Sequence, residues 1–96
     1  MTDFCITAVK YNQDHSHIDY VHVREELPGK VGPIRIVPRA FVADLIRLGK
    51  ATFQTRTKPP GGKWTTGAHV HVVDDEYLST DRNSSKRDNL GNLPEF

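Results

Sequence analysis

Two histidines at alternate positions have the spacing in this chain that best suits metal chemistry. His69 and His71 lie in AHVHVV, residues 68–73, a predicted strand, so both side chains project from the same face. Imidazole nitrogens in this arrangement hold zinc when further ligands complete a tetrahedron. If the first hairpin of the chain lies alongside, a third ligand would come from one of the remaining histidines, His15, His17 and His22.

The same alternation is typical of a sheet with one solvated face, in which Val70 and Val72 face the core and the histidines face water. No cysteine or glutamate stands at a spacing that would complete a zinc site. We therefore predict no metal and no cofactor. His69 and His71 are the only weak candidates, and we expect them to take up zinc only at high concentration.

A calcium site in the C-terminal region is rejected. The stretch DRNSSKRDNLGN, residues 81–92, carries oxygen-bearing side chains at alternate positions. However, Lys86 stands where a calcium loop needs glycine, and Asn92 stands where it needs a bidentate glutamate. The positive charges of Arg82, Lys86 and Arg87 would also repel the ion.

Groups for covalent or acid–base catalysis are equally scarce. Cys5 lies within an apolar predicted strand, where a buried structural thiol is the usual outcome. The carboxylates of residues 74–76 are consecutive in a turn, which does not give them the different environments that an acid–base pair needs. The sequence has no nucleophile elbow, and Gly61-Gly62 alone is not a phosphate-binding loop. We predict that the protein is not an enzyme.

Charge is distributed unevenly along the chain. The formal net charge is +1, but residues 1–26 carry −3, residues 27–73 carry +7 and residues 74–96 carry −3. If a helix and a loop of the basic middle segment share one face, they form a positive patch beside the only tryptophan. The predicted binding residues are Arg39, Arg47, Lys50, Arg56, Lys58, Lys63 and Trp64.

Several functions compete for this basic segment. The preferred one is a small module that binds a protein partner through the 56–67 loop, with Trp64 filling a pocket of the partner. One form of it is an inhibitor of a host complex, encoded by a mobile element. The alternative is nucleic-acid binding through phosphates, against which stand the near-neutral total charge and the lack of a nucleic-acid motif. In a third interpretation, the acidic ends fold back and neutralise the basic middle.

Composition is that of a soluble single domain over residues 1–96. Charged residues make up 26% and hydrophobic ones 36%, which is ordinary for a globular protein with a thin core. Cys5 is the single cysteine, so no internal disulfide forms. No signal peptide and no apolar run of membrane-spanning length is visible. We expect a cytoplasmic protein without a membrane partner.

The elements that position these residues are mostly strands. Proline and glycine predict loops at residues 27–33 and 58–63. One helix is predicted from about Pro38 to Leu48, because proline suits a first helical turn and Gly49 suits the position after the last. Runs of β-branched and aromatic residues predict strands at 4–11, 18–25, 51–57, 68–73 and 77–80, and a short one at 34–37.

Hairpin-linked strands with one inserted helix indicate an α+β domain. We predict a mostly antiparallel, curved sheet or small open barrel of about five to six strands. The helix is expected to bury one apolar face, formed by Phe41, Val42, Leu45, Ile46 and Leu48. An exposed edge strand would invite pairing of two copies, so monomer and homodimer both stay open.

The polar C-terminal segment, residues 80–96, carries three apolar residues near its end. Turn-forming residues precede Leu90, Leu93 and Phe96. Burying a leucine stabilises by about 1.5–3 kcal/mol, which offsets the entropy lost on ordering several residues. We therefore predict an ordered tail that covers an open end of the sheet; the alternative is a frayed terminus.

Several stretches resemble a small bacterial domain family of unknown function: FCITAVKY, the helix ending at Gly49 before ATFQT, GAHVHVV, and YLSTDRNSSKRDNLGNLPEF. The resemblance spans nearly the whole chain. Its most specific parts are the Thr80-Asp81-x-Asn83 step and the DNLGNLP end. It implies a compact bacterial domain with a structured C-terminus, and it implies no activity, catalytic residue or ligand.

Overall fold

Eight short strands and one helix make up the described part of the chain. The computed structural model describes residues 2–80, 90–91 and 93–96. Predictions for residues 81–89 and Asn92, including most of the rejected calcium loop and the C-terminal signature, lie outside the described residues. The elements are β1 (Phe4–Tyr11), β2 (Ile18–Leu27), β3 (Lys30–Val31), β4 (Arg35–Pro38), α1 (Arg39–Arg47), β5 (Phe53–Thr57), β6 (Thr65–His69), β7 (His71–Val73) and β8 (Tyr77–Ser79).

The main sheet curls into a half-barrel. Strands β3 and β4 follow one another along one side of β2, and β1, β5 and β6 continue the sheet on the other side. Every pair is antiparallel except β1 with β5, which are parallel. Strands β7 and β8 form a separate antiparallel hairpin. This confirms the α+β class and the mostly antiparallel, curved sheet.

Two segments differ from the strand pattern predicted from sequence. The strand expected at 68–73 is interrupted at Val70, which is fully buried and donates its N–H to the Phe53 carbonyl at 3.0 Å. The chain therefore passes from the sheet edge into the core, and His69 and His71 belong to different sheets. The loop at 27–33 contains β3, because Gly29 adopts a positive φ of 71° and turns the chain back onto β2.

The helix begins one residue later than predicted, with Pro38 as its N-cap. Gly49 follows its end with a φ of 69°, as expected for the residue after a helix. Val42 and Ala43 are buried against the sheet, whereas Phe41 and Leu48 are exposed. The expectation that both of these side chains belong to the buried face is therefore wrong.

The apolar core lies between the main sheet, the helix, the β7–β8 hairpin and the C-terminal segment. Its largest buried side chains come from all of these except the tail, and Leu90 and Leu93 of the tail join the same cluster. No helix of the described chain is long and apolar enough to cross a membrane.

The C-terminal segment extends the main sheet beside β1. Strand β1 pairs with β5 only at residues 4–6, which leaves Val9 without a strand neighbour on that side. The Val9 N–H donates to the Pro94 carbonyl at 2.9 Å, and the Phe96 N–H donates to the Val9 carbonyl at 3.0 Å. For its described residues, the predicted ordered tail is therefore confirmed.

Candidate partner-binding site

The main sheet has an apolar face on the core and a polar face opposite it, which we call the outer face. On β2, Val21 and Val23 are buried in the core, so His22, Arg24 and Glu26 alternate onto the outer face. On β5, Phe53 and Thr55 are buried in the same way. Their neighbours Gln54 and Arg56 therefore also point to the outer face.

A groove of about 580 Å³ lies on the outer face beside the β2–β3 turn and the β5–β6 loop. We call it the cationic groove, because five of its lining residues are basic and none is acidic. The lining residues are Arg24, Leu27, Gly29, Lys30, Val31, Arg56, Lys58, Gly62, Lys63 and Trp64.

Trp64 forms one wall of this groove and is half-buried. A tight turn brings it there, since the Gly62 N–H donates to the Pro59 carbonyl at 2.9 Å and Gly61 has a φ of 73°. The Arg24 guanidinium lies over the indole ring at 5.1 Å from its centroid, and the Lys58 ammonium lies at 5.9 Å. Both distances are within the range of cation–π attraction.

Glu26 neutralises one of the groove cations. The Arg56 Nε donates to the Glu26 carboxylate at 2.7 Å, and the Gln54 amide donates to the same group. Burial acts to raise the pKa of Glu26, but these hydrogen bonds outweigh it and the pKa lies below its usual value. The three lysines of the groove make no ion pair with any described residue, so their positive charge is available to a ligand.

Cys5 lies in the sheet beneath the groove and has no exposed surface. Its neighbours in register are Arg24 on β2 and Gln54 on β5. Burial, together with the negative charge of Glu26, raises the pKa of the thiol to about 11. A thiol that stays protonated at neutral pH is not a ready nucleophile, which agrees with a structural role.

The structure divides the predicted binding residues into two groups. Arg56, Lys58, Lys63 and Trp64 line the groove, whereas the three cations of the helix region, Arg39, Arg47 and Lys50, do not. Arg39 donates to the carbonyls of Ile18 and Glu76, at 3.2 Å and 2.6 Å. Arg47 lies 3.3 Å from the Asp44 carboxylate.

Sequence reasoning missed Arg24 and Lys30. Arg24 lies in the segment of net negative charge, and Lys30 lies in a segment that the sequence predicts as a loop. The alternation along β2 was the available signal, because buried valines at positions 21 and 23 place residue 24 on the polar face. No pattern in the sequence indicates that the 58–64 loop, which is distant along the chain, lies next to Arg24.

The five histidines are dispersed. The rings of His69 and His71 are 5.1 Å apart between centroids, while the other three stack on aromatic rings elsewhere. Within residues 2–80, 90–91 and 93–96, no three potential metal-binding side chains cluster. The described residues therefore offer no closed set of zinc ligands around the predicted pair.

The fold and the groove together define a small α+β domain whose half-barrel sheet carries a cationic cleft on its outer face. Comparison with family models matches residues 5–94 to the protein family of unknown function DUF3892. The chain therefore belongs to this family, which confirms that the resemblance was to a family of unknown function. Neither the curated proteins nor the solved structures include a significant match.

Proposed function

We propose that this protein is a non-catalytic binding module that holds an acidic segment of a protein partner in the cationic groove. The observation that carries the proposal is the groove itself, with five basic side chains around Trp64 and no acidic lining residue. Opposite charges across an interface accelerate encounter and exclude wrong partners. The five basic side chains therefore give the groove a selectivity for carboxylates that a neutral surface would lack.

The size and lining of the groove fit part of an extended peptide. Its volume of about 580 Å³ falls within the range of ligand-binding clefts. Half of the lining residues carry long cationic side chains, so an uncharged small molecule would leave the three lysines without an ionic partner. Carboxylates on successive residues of one segment would reach several of them together.

Nucleic acid is the second candidate, since phosphates also suit a cluster of lysines and arginines. Proteins that hold single strands add aromatic rings on which bases stack. Here Trp64 already has Arg24 and Lys58 over its ring, and Phe96 stacks on His22 at 3.7 Å. A base would have to displace these contacts, which favours the acidic peptide.

Trp64 is the only tryptophan of the chain, so its fluorescence reports on the groove alone. We expect titration with a short glutamate-rich peptide to change this fluorescence, and the change to weaken steeply as salt rises. Reversing two groove charges with Lys58→Glu and Lys63→Glu should lower the affinity by about tenfold or more.

Lys50→Glu is the matched control, because Lys50 is exposed and lies outside the groove. It should leave the affinity for the peptide within about twofold. The proposal is wrong if the peptide does not bind at low salt, or if Lys50→Glu weakens binding as much as the groove variants do. An oligonucleotide that binds through the same lysines more tightly than the peptide would assign the groove to nucleic acid.

Three sequence-based interpretations accompany this proposal. They are the bacterial origin with its C-terminal signature, the cytoplasmic location, and the form in which the partner is a host complex inhibited by a mobile-element product. The domain would act as such an inhibitor by occupying the acidic surface of that complex. Each stays a prediction, and the charge-reversed variants serve equally to identify such a partner in a lysate.

A further inference from the structure

Exposed apolar side chains lie on the outer face next to the cationic groove. Ile36 is 63% exposed, Tyr20 is 42% exposed and Phe96 is 39% exposed. We call these three residues the apolar patch. A partner that covered these side chains would remove their apolar surface from water, which makes the patch a source of binding free energy.

Strand register places the patch and the groove on the same face. Ile36 of β4 pairs with His22 of β2, and residues directly opposite each other share a face. Tyr20, His22 and Arg24 alternate along β2 onto that face, while the intervening valines enter the core. Arg24 lines the groove, and His22, which pairs with Ile36 of the patch, is the next residue along β2 on the same face.

Phe96 is held at this place by contacts on two sides. Its N–H donates to the Val9 carbonyl at 3.0 Å, and its ring stacks on His22 at 3.7 Å between centroids. The ring therefore sits over the middle of the outer face with one part open to solvent. A partner that reached it would meet a positioned ring rather than a mobile one.

We propose that the acidic segment bound in the groove also carries a large apolar side chain, which docks on the apolar patch. This inference rests on the proposed function and specifies its partner as an extended segment that is both acidic and apolar. The charge of the groove selects this occupant, since five basic residues line the groove beside the patch and an apolar ligand without carboxylates would leave its three lysines without an ionic partner. The segment lies along the outer face from the 58–64 loop towards Ile36.

The geometry sets a spacing for the segment. Alternate side chains of an extended chain are about 7 Å apart, and His22 and Arg24 are alternate residues on β2. An apolar residue two positions from the nearest carboxylate would therefore reach the patch while that carboxylate faces Arg24. An apolar residue within the acidic run would instead be placed among the lysines.

Three short peptides of matched charge test this inference, with Trp64 fluorescence as the readout. The first contains a run of glutamates among serines and glycines, the second carries a leucine two positions beyond the run, and the third carries the leucine inside the run. We expect the second to bind about tenfold more tightly than the other two. A neutral peptide with the same leucine should not bind.

Two variants test whether the increase in affinity from the leucine comes from the apolar patch. Ile36→Thr keeps a β-branched residue in the strand and should remove most of the gain from the leucine, without changing the affinity for the first peptide. Leu48→Gln alters an exposed apolar residue of the helix end and should leave all three affinities unchanged. If the gain survives Ile36→Thr, the patch is not its source.

The outcomes separate this inference from the proposed function. Equal binding of the three acidic peptides overturns the inference and leaves the proposed function standing, whereas no binding of any acidic peptide overturns both. Binding of the neutral leucine peptide as tightly as the second peptide shows that the patch acts independently of the groove, and also overturns the inference. Sedimentation that detects a dimer abolished by Ile36→Thr assigns the patch to a second copy of the chain instead.

Discussion

Gly67 lies where the sheet leaves no space for a side chain. At this point of β6, Gly67 and Ala68 both oppose Thr55 of β5, which forms a β-bulge. The Ala68 N–H donates to the Thr55 hydroxyl at 3.0 Å. A Cβ on Gly67 would overlap that hydroxyl and lie 2.9 Å from the Thr55 carbonyl oxygen.

Gly67→Ala is therefore expected to destabilise the fold by about 1–3 kcal/mol, because the added methyl must displace hydrogen-bonded backbone. Thr66→Ala, an exposed neighbour in the same strand, should change stability by no more than about 0.5 kcal/mol. Urea unfolding of both variants measures this difference. Equal stability of the two variants would show that the bulge yields to a methyl group without cost.

Glu26 links stability to pH, because its pKa is lower in the folded protein than its usual value. Such a carboxyl stabilises the fold above its unfolded pKa, and this contribution is lost as pH falls through the folded pKa. Glu26→Gln should cost about 1–3 kcal/mol at neutral pH, since it removes the charge that Arg56 donates to.

Below about pH 4, the stability of the Glu26→Gln variant and that of the unaltered protein should converge. Unfolding at several pH values measures the effect, and Glu25→Gln, at an exposed neighbouring position, is the control. A difference that stays constant down to acidic pH would mean that the carboxylate charge contributes nothing.

At the scale of elements, the docking of α1 shows how one apolar stripe is chosen over another. The helix sequence contains two stripes, one with Val42, Ala43 and Ile46, and one with Phe41, Leu45 and Leu48. The structure buries Val42 and Ala43, while Phe41 is exposed. The small side chains of Val42 and Ala43 let the helix approach the sheet closely.

We expect Val42→Ala to destabilise the protein by about 1–3 kcal/mol, because it leaves a cavity under the helix. Phe41→Ala should cost less than about 1 kcal/mol despite removing a larger side chain, since that ring is about half exposed already. Thermal unfolding followed by circular dichroism compares the two. A larger loss for Phe41→Ala would show that the Phe41 side chain contributes more to the core than its exposure indicates.

The C-terminal segment acts as a further strand whose stability comes mainly from its leucines. Leu90 and Leu93 are buried in the core, whereas the His15–Glu95 ion pair, at 2.9 Å, is exposed. Exposed ion pairs contribute little, typically about 1 kcal/mol at most. The pattern Leu-x-x-Leu, rather than the charges around it, therefore fixes this end of the chain.

For the whole molecule, the helix, the β7–β8 hairpin and the two leucines of the tail pack on one face of the main sheet, and the groove lies on the other. Since all of these elements share one core, we expect a single cooperative unfolding transition. Trp64 fluorescence reports on the outer face and far-ultraviolet circular dichroism reports on the sheet and helix. Their transitions should coincide; an earlier fluorescence transition would show that the groove unfolds separately.

Local chemistry in the sequence determined the elements of this protein. Pro38 and Gly49 mark the two ends of the helix, and β-branched runs mark β1, β2 and β5. The spacing of Leu90 and Leu93 indicates a tail anchored in the core. These features depend on residues close together in the chain, and their preferences act locally. Four of the seven predicted binding residues lie together at the groove for the same reason, since they belong to the end of β5 and the loop that follows it.

Tertiary structure alone decided which residues meet across the sheet. Val70 enters the core and so places the two histidines of the predicted metal pair in different sheets. The helix packs against the sheet through the small side chains of Val42 and Ala43, and the larger Phe41 stays exposed. Strand register brought Arg24 and Lys30 to the 58–64 loop, whereas Arg39 and Arg47 of the helix make their contacts elsewhere. Side chains far apart in sequence become neighbours only through packing, whose free energy belongs to the whole core and not to any one segment.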